Sequence, residues 1–134
     1  MGPVSTKSIV EKFHLKPGQI LVVIDAPDGY VSLLGVLPHG CRLESVMRSD
    51  ASVVQIFVTD MAMLRARLDG IRSELGTAVL WVTYPKGGSG TRTDLNRDII
   101  WTYVRTIGFD AVSNISVDEV WSALRLKAIE PIKD

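Results

Sequence analysis

Three uninterrupted apolar runs constrain the fold of this chain more than any other feature. The runs are QILVVID at residues 19–25, VVQIFV at 53–58 and AVLWVTY at 78–84. Apolar runs that are rich in β-branched residues and lack polar alternation are typical of strands buried on both faces of a sheet. Such strands need helices packed on either face, so the sequence predicts a layered α/β domain.

Segments with helical periodicity lie between or beside these runs. Ser8 and Glu11 can form a capping box, which predicts a first helix over about residues 6–14. Thr59 or Asp60 can cap a longer helix further along the chain. The predicted apolar stripes are Tyr30, Leu33, Leu34 and Leu37; Leu64, Leu68, Ile71 and Leu75; and Leu95, Ile99, Tyr103 and Ile107.

The order of these elements predicts how the strands pair. Strands that alternate with helices indicate a mostly parallel sheet covered on both faces. The apolar segments at 111–117 and 119–127 are joined by almost nothing, so they must be antiparallel. The segment 41–47 is a weaker strand candidate. Only residues 48–52 separate it from the next strand, which is too short for a helical crossover between parallel neighbours. It is therefore expected to be short, at a sheet edge, or antiparallel.

The predicted fold class is a single Rossmann-like, three-layer α/β domain over residues 1–134, with a mostly parallel sheet and an antiparallel C-terminal strand pair. Residues from about 129 to 134 are expected to form a tail. The three tryptophans are expected to be core or half-buried packing residues: Trp81, Trp101 and Trp121. Three arginines are expected to form a solvated helix face: Arg65, Arg67 and Arg72.

Composition excludes several classes of partner. The 15 Lys and Arg residues balance 15 Asp and Glu residues, so no net charge favours nucleic acid or a membrane surface. No apolar run reaches membrane-spanning length, and we expect a cytoplasmic protein. Cys41 is the single cysteine, which excludes an internal disulfide. His14 and His39 lack companions at ligand spacing, so no metal site is expected.

A glycine-rich loop directly follows the third apolar run. Residues 85–94 read PKGGSGTRTD and lead into the helix that starts near Leu95. Strand, glycine-rich loop and helix N-terminus in this order is where open α/β sheets bind anions. Lys86 and Arg92 add positive charge. The loop completes no nucleotide-binding motif, and the competing interpretation is a flexible surface loop in which Thr93 or Asp94 caps the helix.

The loop after the first strand is expected at the same edge of the sheet, because the carboxyl ends of parallel strands lie together. Asp25 at the end of that strand could orient a ligand or act as a base. The competing interpretation for Asp25 and Asp28 is a cap on the helix that begins near Gly29. No catalytic or metal-binding residue is assigned. The candidate ligand-binding residues are Asp25, Asp28, Gly29, Lys86, Gly87, Gly88, Ser89, Gly90, Thr93 and Asp94.

Several segments resemble the S-adenosylmethionine-dependent methyltransferases. LKPGQIL at 15–21 resembles the segment before their first strand, and residues 108–126 resemble their late antiparallel strand pair. More specifically, the chain resembles a small bacterial family of uncharacterised Rossmann-like proteins, domain of unknown function family 3052. The segments that carry this resemblance are 15–19, 26–30, 80–82, 85–86, 93–95 and 117–124. The resemblance spans about residues 15–127 and implies a fold without an activity.

The chain departs from the methyltransferase pattern at the cofactor loops. The resemblance implies a first loop with several glycines, whereas residues 25–29 read DAPDG. It also implies an acidic residue at the end of the second strand for the ribose hydroxyls, and the nearest candidates are Arg48 and Asp50. We therefore expect no cofactor, with S-adenosylmethionine as the alternative.

Two functions remain open. The first is a non-catalytic module that binds a small anionic ligand or a protein partner, since no paired acid and base or activated nucleophile is visible. The second is a minimal S-adenosylmethionine-dependent methyltransferase-like enzyme, with Asp25, Lys86 and Asp94 at its site. No nucleic acid or membrane partner is expected. A homodimer could form through the edge strand of the final hairpin.

Overall fold

A computed structural model describes residues 8–129. The strands are β1 Ile20–Ile24, β2 Arg42–Glu44, β3 Val53–Phe57, β4 Val79–Pro85, β5 Phe109–Ser116 and β6 Trp121–Ala128. The helices are α1 Ile9–Lys12, α2 Tyr30–Leu33, α3 Met61–Leu75 and α4 Arg97–Thr106. In this part of the chain, no helix combines the length and apolar character needed to cross a membrane.

The strands form one sheet in the order β2-β1-β3-β4-β6-β5. The β1, β2, β3 and β4 strands are parallel, whereas β6 runs antiparallel to both β4 and β5. Helices α3 and α4 pack on one face of the sheet, and α1 and α2 pack on the other. This arrangement confirms the predicted fold class of a mostly parallel, three-layer sheet with an antiparallel C-terminal pair.

The second strand is short and lies at an edge, as two of the three alternatives required, but its direction is parallel to β1. Strands β2 and β3 pair with opposite sides of β1, so the link between them still crosses over β1. The irregular link at 45–52 is long enough because β2 ends level with Val22 and β3 begins level with Leu21, which leaves almost no distance to return along the strand direction. Met47 and Ala51 of the link pack against the core on the α3 face.

The helix predictions are partly confirmed. The capping box of Ser8 and Glu11 is present at the start of α1, and Asp60 caps α3 through the N–H of Met63 at 2.7 Å. All four predicted stripe residues of α3 are buried. Helix α1 ends earlier than predicted, at Lys12. The parts of the first-helix and tail predictions that fall on residues 6–7 and 130–134 lie outside the described residues.

Two helix predictions are wrong in detail. The buried residues of α4 are Ile100 and Val104, and Ile99 is exposed, so the predicted stripe is out of phase by one residue. Helix α2 ends at Leu33, whose side chain is exposed, rather than continuing towards Pro38. The chain already leaves helical geometry at Gly35, where φ is 97°. Positive φ is accessible to glycine and stops an α-helix.

A chain of buried hydrogen bonds joins α2 to the sheet. The hydroxyl of Tyr30 donates to Gln55 Oε1 at 2.8 Å, and Gln55 Nε2 donates to Thr83 Oγ1 at 2.9 Å. All three side chains are buried. Burial raises the pKa of the Tyr30 hydroxyl well above its ordinary value. The network anchors the first residue of α2 onto β3 and β4, which positions the preceding loop at the carboxyl edge of the sheet.

Candidate ligand-binding site

The predicted site residues lie in two loops at the carboxyl edge of the parallel strands. The loop at 25–29 follows β1, and the glycine-rich loop at 86–94 follows β4. Strand β3 separates β1 from β4 in the sheet. The end of the second loop nevertheless reaches the centre of the edge, because the carboxylate of Asp94 accepts the N–H of Met61 at 2.8 Å. This contact fixes the loop to the N-terminus of α3.

Asp25 forms an ion pair with Arg67 of α3. The backbone of Asp25 has a φ of 61°, in the left-handed region that aspartate enters more readily than most residues. The N-cap of α2 is Gly29, with a φ of 83° and no side-chain cap. The expectation that Asp25 or Asp28 caps this helix is therefore wrong. The Arg67 contact was not predicted, because Arg67 belongs to a charged helix face that gives no signal of a partner.

The start of α4 is capped by Asn96, whose side chain accepts the N–H of Ile99 at 2.8 Å. The expectation that Thr93 or Asp94 caps this helix is therefore wrong. Thr93 Oγ1 instead accepts the N–H of Leu95 at 3.0 Å. Asn96 reaches this N–H because its own backbone is extended, with a φ of −150°.

The glycine-rich loop leaves open space around its backbone. Gly88 and Gly90 have φ values of 81° and 88°, and nothing lies within 4 Å of a Cβ built on Gly87, Gly88 or Gly90. The hydroxyl of Ser89 accepts the N–H of Thr91 at 3.4 Å. The loop geometry therefore admits a ligand close to the backbone. Anion binding by these residues stays a prediction.

Lys86 connects the glycine-rich loop to the end of β5. Its ammonium donates to Ser116 Oγ at 2.6 Å, and its backbone N–H donates to the carbonyl oxygen of Val120 at 2.7 Å. Lys12 of α1 donates to the carbonyl oxygen of the same Ser116 at 2.9 Å. Two ammonium groups thus converge on one residue. Sequence reasoning missed Lys12 and Ser116 because they are 104 residues apart in the chain.

A cleft of about 360 Å³, which we call the α4–β5 cleft, lies between α4 and β5. Asn114 on β5 accepts the hydroxyl of Tyr84 at 3.3 Å. Burial raises the pKa of Tyr84, while the hydrogen bond to Asn114 and the charge of Arg97 oppose the rise. Ser116 and Asn114 share a face of β5 and lie about 7 Å apart along the strand. The residues that line the cleft are Arg97, Trp101, Ala111, Ser113, Asn114 and Leu124.

A second cleft of about 420 Å³, which we call the β1–β2 groove, lies at the ends of β1 and β2. The second strand ends at Glu44, which corrects the assignment of Arg48 and Asp50 as the acidic position. Arg48 instead pairs with Asp50 at 2.8 Å and with Glu44 at 3.2 Å. The residues that line the groove are Val23, Asp25, Ala26, Val31, Leu43, Glu44 and Ser45.

Comparison with known proteins rests on structure. No protein-family model matches the chain, and no curated protein sequence matches it. Sp1610 of Streptococcus pneumoniae, solved in complex with S-adenosyl-L-methionine, superposes with a TM-score of 0.51 at 13% identity over 90% of this chain and 71% of that chain. TrmK, a tRNA methyltransferase of B. subtilis, superposes with a TM-score of 0.54 at 11% identity over 94% of this chain and 68% of that chain.

A third structure, an rRNA methylase of Streptococcus thermophilus, has a TM-score of 0.50 at 12% identity and covers 95% of this chain and 100% of its own. At these identities the similarity concerns the fold alone. The chain therefore has the Rossmann-like fold of the S-adenosylmethionine-dependent methyltransferases.

Proposed function

We propose that this chain is a binding module for a small anionic ligand, held at the α4–β5 cleft and the adjoining glycine-rich loop. The position of Lys86 is the observation that carries the proposal. Within residues 8–129, Lys86 has no carboxylate within ion-pair distance, and its ammonium is fixed by Ser116 Oγ at 2.6 Å. A lysine held in this way keeps donors available for a phosphate or carboxylate.

The surroundings of Lys86 support a ligand with one anionic end and one apolar part. Arg97 and Asn114 supply a second cation and an amide at the cleft, whereas Trp101 and Leu124 supply apolar surface. A volume of about 360 Å³ falls within the range of small-molecule sites. Gly87 and Gly88 add backbone that a ligand can approach closely.

Binding rather than catalysis is supported by the engagement of three carboxylates along the same edge. Asp25 pairs with Arg67, Asp60 caps α3, and Asp94 accepts the N–H of Met61. Each of these three carboxylates therefore already serves a structural contact. A general base must instead reach the proton that it removes from the substrate.

Titration with inorganic phosphate and with adenosine monophosphate, followed by amide chemical shifts, tests this proposal. Shifts are expected in residues 86–90 and 114–116. Replacement of Lys86 by Gln should raise the dissociation constant about 10-fold or more, since a charge-assisted hydrogen bond contributes about 1.5–3 kcal/mol. The matched control is Lys127→Gln, which removes the same charge from an exposed position near the other end of β6.

Equal weakening by both lysine variants would indicate a general charge effect and would refute the site. An unchanged affinity in the Lys86 variant would refute it as well. Shifts confined to residues 25–29 and 43–45 would place the ligand in the β1–β2 groove instead.

The β1–β2 groove supports a second candidate function, a minimal S-adenosylmethionine-dependent methyltransferase-like enzyme. Asp25 and Glu44 place two carboxylates on a cleft of about 420 Å³, which has room for a nucleoside. Each carboxylate pairs with arginine through one oxygen, Asp25 through Oδ2 and Glu44 through Oε2. Carboxylate oxygens accept hydrogen bonds from ribose hydroxyls. Ligands of open α/β sheets bind at the carboxyl ends of the strands where the strand order reverses, which here is between β1 and β3, and Asp25 at the end of β1 borders both that point and the groove.

Thermal unfolding with S-adenosylmethionine and its demethylated product tests this candidate. Ligand at about 100 times its dissociation constant should stabilise the fold by about 2.7 kcal/mol. Glu44→Gln should reduce the shift, whereas Glu119→Gln at an exposed turn position should not. The absence of any shift at millimolar cofactor would remove the enzyme from consideration. We also propose that the chain belongs to the uncharacterised Rossmann-like family, domain of unknown function family 3052, which implies the fold without an activity.

A further inference from the structure

Strand β2 offers an unpaired edge of the sheet. It pairs with β1 on one side and has no strand on the other in the described part of the chain. The N–H of Arg42 donates towards β1, to the carbonyl oxygen of Gln19 at 3.1 Å. Because backbone groups alternate in direction along a strand, the N–H and C=O of Leu43 point away from the sheet. These groups can pair with another strand.

The sequence of this edge is complementary to itself. Arg42 and Glu44 lie on the same face of β2, with Leu43 between them on the other face. In an antiparallel pair of two copies centred on Leu43, Arg42 of the first copy lies opposite Glu44 of the second. Glu44 of the first copy likewise lies opposite Arg42 of the second. Opposite charges in directly opposed positions stabilise such a pair.

Apolar surface flanks the same edge. Val31 of α2 lines the β1–β2 groove beside Leu43 and is 54% exposed. Val46, two residues after the strand, is 72% exposed, and Leu33 on α2 is also exposed. A partner that paired with β2 would approach these side chains on both sides of the strand. Exposed apolar side chains grouped around a free edge are typical of an interaction surface.

We propose that the partner at this edge is a second copy of the same chain. The two β2 strands pair antiparallel about a two-fold axis between the two Leu43 residues, and the two sheets become one. The isologous contact requires a surface that is complementary to itself, which the order Arg42, Leu43, Glu44 provides. The opposite edge is less suitable, because the ladder between β5 and β6 shifts register between Ala111 and Ser113. An irregularity of this kind interrupts the row of backbone groups that a partner strand would need for pairing.

Light scattering coupled to size exclusion tests this inference through charge exchange. The unmodified chain is expected at twice its mass of 14.7 kDa. Arg42→Glu and Glu44→Arg should each oppose like charges twice in the dimer and weaken association about 10-fold or more. The double variant should restore the dimer. Circular dichroism and the melting temperature of each variant confirm that the fold is intact.

Three results would overturn this inference. One is a monomeric unmodified chain at millimolar concentration. Another is a dimer that persists in both single variants, or a double variant that stays monomeric when the single variants are monomeric. The third is a dimer that is lost in Val112→Asp, on the exposed edge strand β5, and kept in Arg42→Glu. This last result would place the contact at the final hairpin.

Discussion

Replacement of Trp81 by alanine is expected to lower the free energy of unfolding by about 3–5 kcal/mol. Trp81 lies in the middle of β4 and is 2% exposed. Its ring stacks on Phe13 with a centroid distance of 4.8 Å, so it joins α1 to the sheet. A loss of this size is a large part of the total stability of a small domain, which is about 5–15 kcal/mol. Urea unfolding followed by circular dichroism measures it.

The matched control is Trp101→Ala on α4. Trp101 is 41% exposed, and its Nε1 donates to Asp110 at 2.8 Å. Its loss removes one surface hydrogen bond and less buried area than the loss of Trp81, so a smaller decrease of about 1–2 kcal/mol is expected. Equal losses for the two variants would contradict the assignment of Trp81 to the core.

Phenylalanine at position 81 should be less harmful than alanine. The Nε1 of Trp81 is buried without a hydrogen-bond partner among the described residues. An unsatisfied buried donor costs about 1–3 kcal/mol, and Trp81→Phe removes that cost while it leaves a small cavity. The expected net loss is about 1–2 kcal/mol. A loss as large as that of alanine would show that the indole N–H has a partner in solution.

The buried strands could be predicted because burial on both faces leaves a local signature. Residues 53–58 and 78–84 carry this signature in their composition, and β3 and β4 occupy nearly the same positions. The phase of α4 could not be predicted in the same way. Ile99 and Ile100 are adjacent apolar residues, and only the packing of α4 on the sheet, which buries Ile100 and leaves Ile99 exposed, distinguishes them.

The chemistry at the edge of the sheet was less predictable because it depends on distant pairs. Asp25 and Arg67 are 42 residues apart, and Lys86 and Ser116 are 30 apart. Neither pair forms a local motif. Glu44 was missed as the end of β2 for a different reason, since a three-residue edge strand has no apolar run to mark its end. The sequence could therefore indicate the region of the site but not its contacts.

Tyr30→Phe is expected to cost about 1–3 kcal/mol, because it leaves the buried Oε1 of Gln55 without its donor. The ring contact with Phe57, at 4.6 Å between centroids, should persist, so the cost comes from the hydroxyl. Tyr103→Phe deletes a hydroxyl from a partly exposed position on α4 and should change stability by less than about 0.5 kcal/mol. Urea unfolding at neutral pH measures both.

The same hydroxyl predicts a dependence on alkaline pH. Burial raises the pKa of Tyr30 in the folded state above the ordinary value of 10.0 that applies when the chain is unfolded. The folded state therefore keeps the proton at a pH where the unfolded state loses it. The stabilisation is complete below the unfolded pKa and decreases as pH rises above it, by about 1.4 kcal/mol per pH unit. Phenylalanine cannot ionise, so this decrease should be absent from Tyr30→Phe.

The difference in stability between the unmodified chain and Tyr30→Phe therefore separates the tyrosine from other alkaline effects. Every other ionisable side chain is present in both proteins, so its contribution cancels in the difference. The difference should be constant below about pH 10 and should shrink above it. A constant difference across this interval would mean that the Tyr30 hydroxyl ionises as easily in the folded chain as in the unfolded one. The hydroxyl would then be open to water, and the loop before α2 would not be anchored to Gln55.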